Sequence, residues 1–259
     1  MLTAITRAVS PSMETCELTH FERQPIDIAR ARKQHAAYEA CLRELGVNVI
    51  SLPAEADYPD AVFVEDPAVV LDEVAVIARM GAESRRGEAA SLAAELQKHR
   101  SLSWMKEPAT LDGGDVMRGN RTWYAGLSAR TNAAGIQQLA REAERFGYRV
   151  QPVAVRGCLH LKSGVSWLGD DTVLIHRPWI DAAAFTGLRL LDAPQGEQWG
   201  ANVLVIGNTA VVADGFPRTA ELIASIGRVV RVLDNSEIRK AEGALTCCSL
   251  IFTAKPLPF

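Results

Sequence analysis

Two adjacent cysteines are the residues best suited to covalent chemistry. Cys247 and Cys248 follow a run of mainly small residues, 243–246, and precede an apolar segment, 249–252. A thiolate is a strong nucleophile, and a reactive cysteine with a histidine and an acid elsewhere in the chain is a catalytic candidate. The alternative is that both are small core residues, because free cysteine is among the most buried residue types. The cysteines alone leave catalysis and packing open.

A histidine and several carboxylates hold comparable places along the chain, each just before an apolar hairpin. They are Asp60, Glu65, Asp66, Asp112 and His160, and Asn202 stands at the same point of a further unit. Separately, His160 could be a hydrogen-bonded structural residue, and Asp112 could cap the turn that follows it. Together with a cysteine they form a set that combines a nucleophile, a proton carrier and an orienting acid.

The number of carboxylates indicates the charge of the substrate. Peptide hydrolysis stabilises an oxyanion with hydrogen-bond donors, so additional acids would not help it. Clustered carboxylates suit a planar cation with several N–H donors, and a guanidinium has that geometry. A cationic substrate would also favour the thiolate form of Cys247. The residues therefore predict nucleophilic substitution at a guanidinium carbon.

For these residues to meet, the fold must bring distant segments of the chain together, and a repeated structural unit would do so. Units of strand, turn, strand, helix and strand recur about 40–50 residues apart. The last strand lacks a helix, and the first segment supplies a strand, a helix and a strand, so the two ends would form a fifth unit. We predict a single catalytic domain over residues 1–259, a five-bladed pseudo-symmetric α/β propeller whose N- and C-termini share one blade around a central active-site channel. A doubly wound α/β sheet is the alternative, but parallel βαβ units need no hairpin before each helix.

Periodicity places the individual elements. Apolar residues at three- and four-residue steps predict helices over 26–45, 83–99, 132–146, 180–185 and 218–226. Alternating or continuous apolar runs predict strands over 2–9, 47–52, 68–71, 74–78, 101–105, 148–155, 188–191, 228–233 and 247–252, with hairpins turning near residues 119, 170 and 207. Residues 10–25 show no periodicity and could be a mobile flap or a plain surface loop.

Composition and charge exclude several classes of protein. A net charge of −3 gives no basic field for nucleic acid. The first residues lack a signal-peptide pattern, and no apolar run approaches the roughly 20 residues that span a bilayer. Five irregularly spaced cysteines argue against a disulfide framework and favour a reducing cytoplasm, and they form no zinc-binding pattern with the five histidines. A small-molecule substrate is expected, and the chain is compatible with a homodimer.

Six segments, in order through nearly the whole chain, resemble those of the dimethylarginine dimethylaminohydrolase family. They are residues 60–66, 81–86, 110–116, 126–132, 159–163 and 245–249. The wider group of guanidino-modifying enzymes has the pentein fold, a five-bladed α/β propeller, which agrees with the repeat count. The resemblance implies hydrolysis of methylated arginine to citrulline and an alkylamine through a covalent S-alkylthiouronium, without a cofactor or metal.

The resemblance also implies a role for each candidate residue. Cys247 would be the nucleophile, His160 the general acid and base, and Asp112 the group that orients His160 and contacts the guanidinium. Asp66, with Asp60 and Glu65 nearby, would hold the guanidinium. The substrate carboxylate would bind Arg85 and Arg130, and its α-amino group would bind backbone groups of Leu18 and Ala241.

Two alternatives remain open at this point. Arginine deiminases and amidinotransferases of the same group would use similar residues, although those relatives are typically longer. A non-catalytic propeller that only binds a partner would have no need of a Cys–His–acid set.

Overall fold

The strands form where the sequence alternates or runs apolar, and the predicted hairpins are present. The computed structural model describes residues 1–254. One hairpin turns at Gly207 and Asn208, where Gly207 has φ +58°, a backbone conformation that glycine adopts readily. The strands are β1 (Leu2–Arg7), β2 (Asn48–Leu52), β3 (Ala68–Val70), β4 (Val74–Ile77), β5 (Ser101–Trp104), β6 (Val116–Arg118), β7 (Thr122–Leu127), β8 (Arg149–Ala154), β9 (Val165–Gly169), β10 (Thr172–Ile175), β11 (Arg189–Asp192), β12 (Val203–Ile206), β13 (Thr209–Ala213), β14 (Val229–Leu233) and β15 (Leu250–Thr253).

Within residues 1–254 these strands make five sheets of three strands each. In every sheet the first two strands are antiparallel and the third is parallel to the second, as in β12-β13-β14. The fifth sheet has the order β15-β1-β2, with Leu2 opposite Thr253. The repeated small sheets are the blades of the five-bladed α/β propeller that the repeats predict. The doubly wound alternative is wrong, since the described strands form no larger sheet.

The helices lie mostly between the second and third strands of a blade. They are α1 (Ile28–Glu44), α2 (Ala89–Leu96), α3 (Ala133–Glu144), α4 (Leu161–Gly164), α5 (Pro217–Ser225) and α6 (Ser236–Lys240). Side-chain caps fix two starting points, because Asp27 accepts from the N–H of Arg30 and Asn132 from that of Gly135. None of the helices within residues 1–254 has the length and apolar character needed to cross a membrane.

Several predicted boundaries are corrected by the structure. The helix predicted over 83–99 begins as a 3-10 turn, Glu83–Glu88, and the one predicted over 180–185 is only a 3-10 turn, Ala182–Ala184. The strand predicted from Cys247 begins at Leu250, because Thr246–Cys248 forms a 3-10 turn. Helices α4 and α6 were not predicted, since four or five residues are too few for a periodic signal.

The first strands of the blades surround the central axis. They border a cavity of about 200 Å³, to which β3, β6, β9, β12 and β15 each contribute side chains. At one side of this channel Lys162 pairs with Glu65 at 2.6 Å, and Thr246 donates to the same carboxylate at 3.0 Å. The loops that lead into the first strands therefore meet near one end of the axis.

Candidate active site

These loops enclose a second, smaller cavity that contains most of the residues predicted from the sequence. Its volume is about 20 Å³, room for about one water molecule, so the site is closed. The lining residues are Glu17, Asp60, Phe63, Asp66, Arg85, Arg130, Leu159, His160, Ala241, Glu242, Gly243 and Cys247. Cys247 and His160 thus face one enclosed space together with two of the predicted guanidinium-binding acids, Asp60 and Asp66, although long stretches of chain separate them.

His160 is held at the start of α4 by the helix it caps. Its backbone N–H donates to the Ser163 hydroxyl at 3.4 Å, and its ring nitrogen Nε2 lies 3.0 Å from Oδ2 of Asp112. Burial alone would lower the pKa of the imidazole, but the Asp66 charge, the hydrogen bond to Asp112 and the Asp115 charge outweigh it and raise the pKa to about 9. At neutral pH His160 is therefore an imidazolium and a ready proton donor.

Asp112 and the glycines beside it keep this arrangement compact. Oδ1 of Asp112 accepts from the N–H of Gly81 at 2.9 Å, which leaves Oδ2 for His160. A Cβ at Gly114 would lie 2.6 Å from Nδ1 of His160 and 2.7 Å from Oδ1 of Asp66. Any side chain there would push the histidine and the acid apart, so the turn after Asp112 requires glycine.

Asp66 is buried, and each oxygen of its carboxylate accepts a hydrogen bond. Arg85 donates to its Oδ2 at 2.8 Å, and the N–H of Gly114 to its Oδ1 at 3.1 Å. Burial by itself raises the pKa of Asp66, but the charges of His160 and Arg85 outweigh that effect and hold it below its ordinary value. Asp66 is thus a fixed negative charge in the cavity, as a guanidinium site requires.

Arg85 already pairs with carboxylates of the protein itself. It makes a two-pronged pair with Glu88, with both N–O distances 2.9 Å, in addition to its bond to Asp66. Burial raises the pKa of Glu88 to about 7, and the charges of Asp60 and Asp66 add to this effect, although the pairing with Arg85 opposes it. Asp60 lies on the other side, where burial raises its pKa and its Oδ2 accepts from the N–H of Glu17 at 3.0 Å.

Arg130 has one buried guanidinium nitrogen without a hydrogen-bond partner. Its Nη2 donates to the Thr19 hydroxyl at 3.2 Å, while Nη1 is buried without a hydrogen bond and lies 3.9 Å from Oδ2 of Asp112. Leaving a buried charged donor unpaired is costly, so the position is suited to an anionic group that enters the cavity. Of Arg85 and Arg130, it is therefore Arg130 that has an unpaired donor for a substrate carboxylate in this closed form.

The two cysteines occupy different environments. Cys247 is half-buried and borders the cavity, whereas Cys248 is buried in the cluster that includes Tyr38 and Leu42 of α1, with its Sγ 3.6 Å from the carbonyl of Ala244. The prediction that they point in different directions is correct. Its premise of an extended chain is wrong, because the segment is a 3-10 turn.

The thiol of Cys247 is protonated in this state. Burial, together with the negative charges of Glu65 and Asp66, raises its pKa to about 12. The site therefore holds a neutral thiol beside an imidazolium, and it lacks the thiolate needed for attack. A cation bound between Asp66 and Cys247 would reverse the electrostatic balance and favour ionisation of the thiol.

Three of the predicted residues lie outside the cavity lining: Glu65, Leu18 and Asp112, the last of which contacts the lining residue His160. Glu65 lines the central channel, where its carboxylate pairs with Lys162, and its backbone N–H donates to the carbonyl of Cys247 at 3.2 Å. Leu18 is half-buried on residues 10–25 and packs against the neighbouring apolar cluster. The pairing of Lys162 with Glu65 was not predicted from the sequence.

Residues 10–25 cover the cavity and are fastened by its lining residues; we call this segment the flap. The carboxylate of Asp60 accepts from the N–H of Glu17, Arg130 donates to Thr19, and Oε1 of Glu242 accepts from the N–H groups of Thr19, His20 and Phe21. Because a cavity of about 20 Å³ admits no amino acid, the flap must open for a substrate to enter.

We expect hydrogen exchange to detect this opening. Amides of residues 17–21 should exchange through local opening in the free protein and become about tenfold or more protected when a guanidino ligand such as arginine is bound in excess. Amides in β4 and β10, which are buried in the blades, serve as the internal control. Equal exchange of the flap amides in both states would contradict a lid.

Asp66, Asp112 and His160 could also be considered as a metal site. Their ligand atoms lie within 4.8 Å of one another. Oδ2 of Asp66 already accepts from Arg85 at 2.8 Å, and Oδ2 of Asp112 lies 3.0 Å from Nε2 of His160, so these ligand atoms are engaged within the protein. The donor set is better matched to proton transfer and to binding an organic cation.

Comparison with known proteins agrees with this chemistry. The model of the family described as N,N dimethylarginine dimethylhydrolase, eukaryotic, matches residues 12–183. The N(G),N(G)-dimethylarginine dimethylaminohydrolase of Streptomyces coelicolor is 41% identical over 249 residues, 95% of each chain. A solved structure of DDAH from Pseudomonas aeruginosa, a cysteine-to-serine mutant complexed with citrulline, is 33% identical with a TM-score of 0.92 and covers 96% of this chain and 98% of that one.

A further solved structure concerns the histidine. It is a dimethylarginine dimethylaminohydrolase in which a histidine is replaced by glycine, as an adduct with S-methyl-L-thiocitrulline. It is 33% identical to this chain with a TM-score of 0.93, and the match covers 96% of this chain and 99% of that one.

Proposed function

This chain belongs to the dimethylarginine dimethylaminohydrolase family and is a hydrolase of amidine C–N bonds that converts dimethylarginine to citrulline, and we propose that Cys247, His160 and Asp112 carry the reaction. The observation that supports this assignment most directly is that Cys247, His160 and Asp66 line the same closed cavity. Asp112 acts through its 3.0 Å contact with His160.

Binding begins with the charge of the substrate. The guanidinium lies against Asp66 and near Asp60, which replaces water around a cation with fixed carboxylates. Its positive charge beside Cys247 lowers the pKa of the thiol, which gives its proton to bulk water before the flap closes and the attack begins. The substrate thereby generates its own nucleophile, because the resting thiol with a pKa of about 12 is unreactive.

The chemistry then takes two steps. The Cys247 thiolate forms a bond to the guanidinium carbon, and the C–N bond to dimethylamine breaks as the His160 imidazolium gives that nitrogen its proton. A covalent S-alkylthiouronium remains. Neutral His160 next takes a proton from water, and the hydroxide adds to the same carbon. The C–S bond then breaks to release the thiolate, and the hydroxyl proton passes to solvent, which leaves citrulline with a neutral urea group. His160 therefore alternates between acid and base.

Product analysis tests the function against its nearest alternatives. The protein should release citrulline and dimethylamine from asymmetric dimethylarginine, with little ammonia from unmethylated arginine in a parallel assay. Faster ammonia release from arginine would favour a deiminase, and amidino transfer to an added amine would favour an amidinotransferase. Binding without turnover of any arginine derivative would favour a non-catalytic propeller.

We expect binding of the substrate carboxylate to depend mainly on Arg130. Arg130→Ala should raise KM for dimethylarginine about 10- to 100-fold, because it removes a charge-assisted contact. Arg85→Ala should also weaken binding and lower kcat, since it frees Asp66 and Glu88 from their partner.

Arg86→Ala is the matched control for these variants, because Arg86 pairs with Glu83 at the surface. The methylated derivative of agmatine, which lacks the carboxylate, should be a poor substrate of the wild type and should be little affected by Arg130→Ala. Efficient turnover of that amine would refute the assignment of Arg130.

Three wider features stay predictions. We propose that residues 1–259 act as a single catalytic domain, because the described blades are joined into one ring by β1 and β15. A cytoplasmic location is supported by five cysteines that are all unpaired. A homodimer would be tested by sedimentation velocity.

A further inference from the structure

Glu242 holds the flap with an unusual set of hydrogen bonds. Its Oε1 accepts from three consecutive backbone N–H groups, those of Thr19, His20 and Phe21, at 2.5–2.9 Å. Glu242 also has φ +57°, a left-handed conformation that is costly for a residue with a side chain. This strained residue directly follows Ala241 and lines the active-site cavity.

The second oxygen of this carboxylate has no partner. Oε2 of Glu242 is buried and makes no hydrogen bond, although Glu242 lines the active-site cavity. Among the described residues that line this cavity, a second buried side-chain atom without a partner is Nη1 of Arg130. Two residues that line one cavity thus each have a buried atom without a hydrogen bond, an anionic acceptor on Glu242 and a cationic donor on Arg130.

This pair is complementary to the two charged groups of an α-amino acid. Arg130 is suited to a carboxylate, and a carboxylate oxygen such as Oε2 of Glu242 is suited to an ammonium group. Leaving either group buried and unpaired is costly, and a zwitterion that supplies both partners would remove both costs. A guanidino compound without an α-amino group would leave Oε2 unsatisfied.

We propose that Glu242 is a specificity-determining residue that accepts a hydrogen bond from the substrate α-ammonium group through Oε2 while Oε1 keeps the flap closed. The proposal rests on the proposed function, and it adds a charged side chain to the backbone groups of Leu18 and Ala241 expected at the same ammonium. One carboxylate thereby links recognition of the amino group to closure of the flap.

The test compares dimethylarginine with its des-amino analogue, in which hydrogen replaces the α-amino group. The wild type should prefer dimethylarginine in kcat/KM by about 10- to 100-fold or more. Glu242→Gln keeps the shape and removes the charge, so the preference should fall by about tenfold or more. The Arg130-dependent preference for dimethylarginine over methylated agmatine should remain.

Glu242→Gly provides a second variant that is expected to fold well, since glycine adopts φ +57° without strain. It should lose the same preference, and the amides of residues 19–21 should exchange faster without ligand. An unchanged preference for the α-amino group in both variants would overturn the proposal. Absence of citrulline formation by the wild type would instead refute the proposed function, so the two failures are distinguishable.

Discussion

Replacing Cys247 with serine should abolish turnover, lowering kcat by about 10⁴-fold or more, as removal of an enzymatic nucleophile commonly does. The thiol already has a pKa of about 12 in the substrate-free site. A bound guanidinium must lower that value before attack, and a serine hydroxyl is far less acidic than a thiol. Nothing in the cavity would deprotonate it, because His160 is already protonated at neutral pH. Citrulline formation under saturating dimethylarginine measures the loss.

Cys248→Ser is the matched control. Cys248 has the same chemistry and is one residue away, but it is packed in an apolar cluster and does not line the cavity. This variant should retain most of the activity and lose some stability at most, since it places a hydroxyl where a small apolar group packs.

Acid quench followed by peptide mass spectrometry should locate a substrate-derived adduct on Cys247. An adduct on Cys248, or turnover that survives Cys247→Ser, would overturn the assignment of the nucleophile.

Replacing His160 with glycine should lower kcat for dimethylarginine by about 10³-fold or more, because both steps need its proton. The two steps can be separated with S-methyl-L-thiocitrulline, whose thiolate leaving group needs no proton. In His160→Gly this compound should alkylate Cys247 and then stop, since no base activates water. The covalent adduct should accumulate on the time scale of minutes, whereas the wild type should turn it over.

The pH dependence provides an independent measure of the same residue. The folded-state pKa of about 9 means that His160 is cationic below that pH and neutral above it. The acid for the first step is therefore present at neutral pH and is lost as the pH rises through about 9, so kcat/KM for dimethylarginine should fall there. The matched variant Asp115→Asn should move this descending limb of the pH profile to lower pH, because the Asp115 charge helps to raise the pKa of His160. A limb that does not move, or an adduct that turns over in His160→Gly, would contradict these roles.

The sequence predicts the features of this protein that arise from local chemistry. The glycine–asparagine turn at Gly207 sets a hairpin, and Asn132 caps α3, as the residue types indicate. The convergence of His160, Asp66 and Cys247 follows from the repeat, because equivalent loops meet at one axis. These parts of the fold and site could be derived before the structure.

Other features depend on contacts between distant residues and leave no local signal. Glu65 and Asp66 are neighbours, yet Glu65 lines the channel and Asp66 the cavity. The bonds between Glu242 and the flap join residues more than 220 positions apart. The direction of a single side chain in a loop is set by its tertiary partners, which neither composition nor periodicity contains.

The blade shared by β1, β2 and β15 has a consequence for folding kinetics. Pairing of Leu2 with Thr253 closes a loop of nearly the whole described chain, and Cys247 lies only a few residues before β15. Contacts of such sequence separation form slowly, whereas hairpins form in microseconds. A refolding chain in which the other blades have formed would already hold His160 against Asp112, but its nucleophile would not yet be in place. The rate at which activity returns during refolding would therefore measure the rate of ring closure. Fluorescence from Trp123, which is buried in a different blade, would report the earlier formation of that blade.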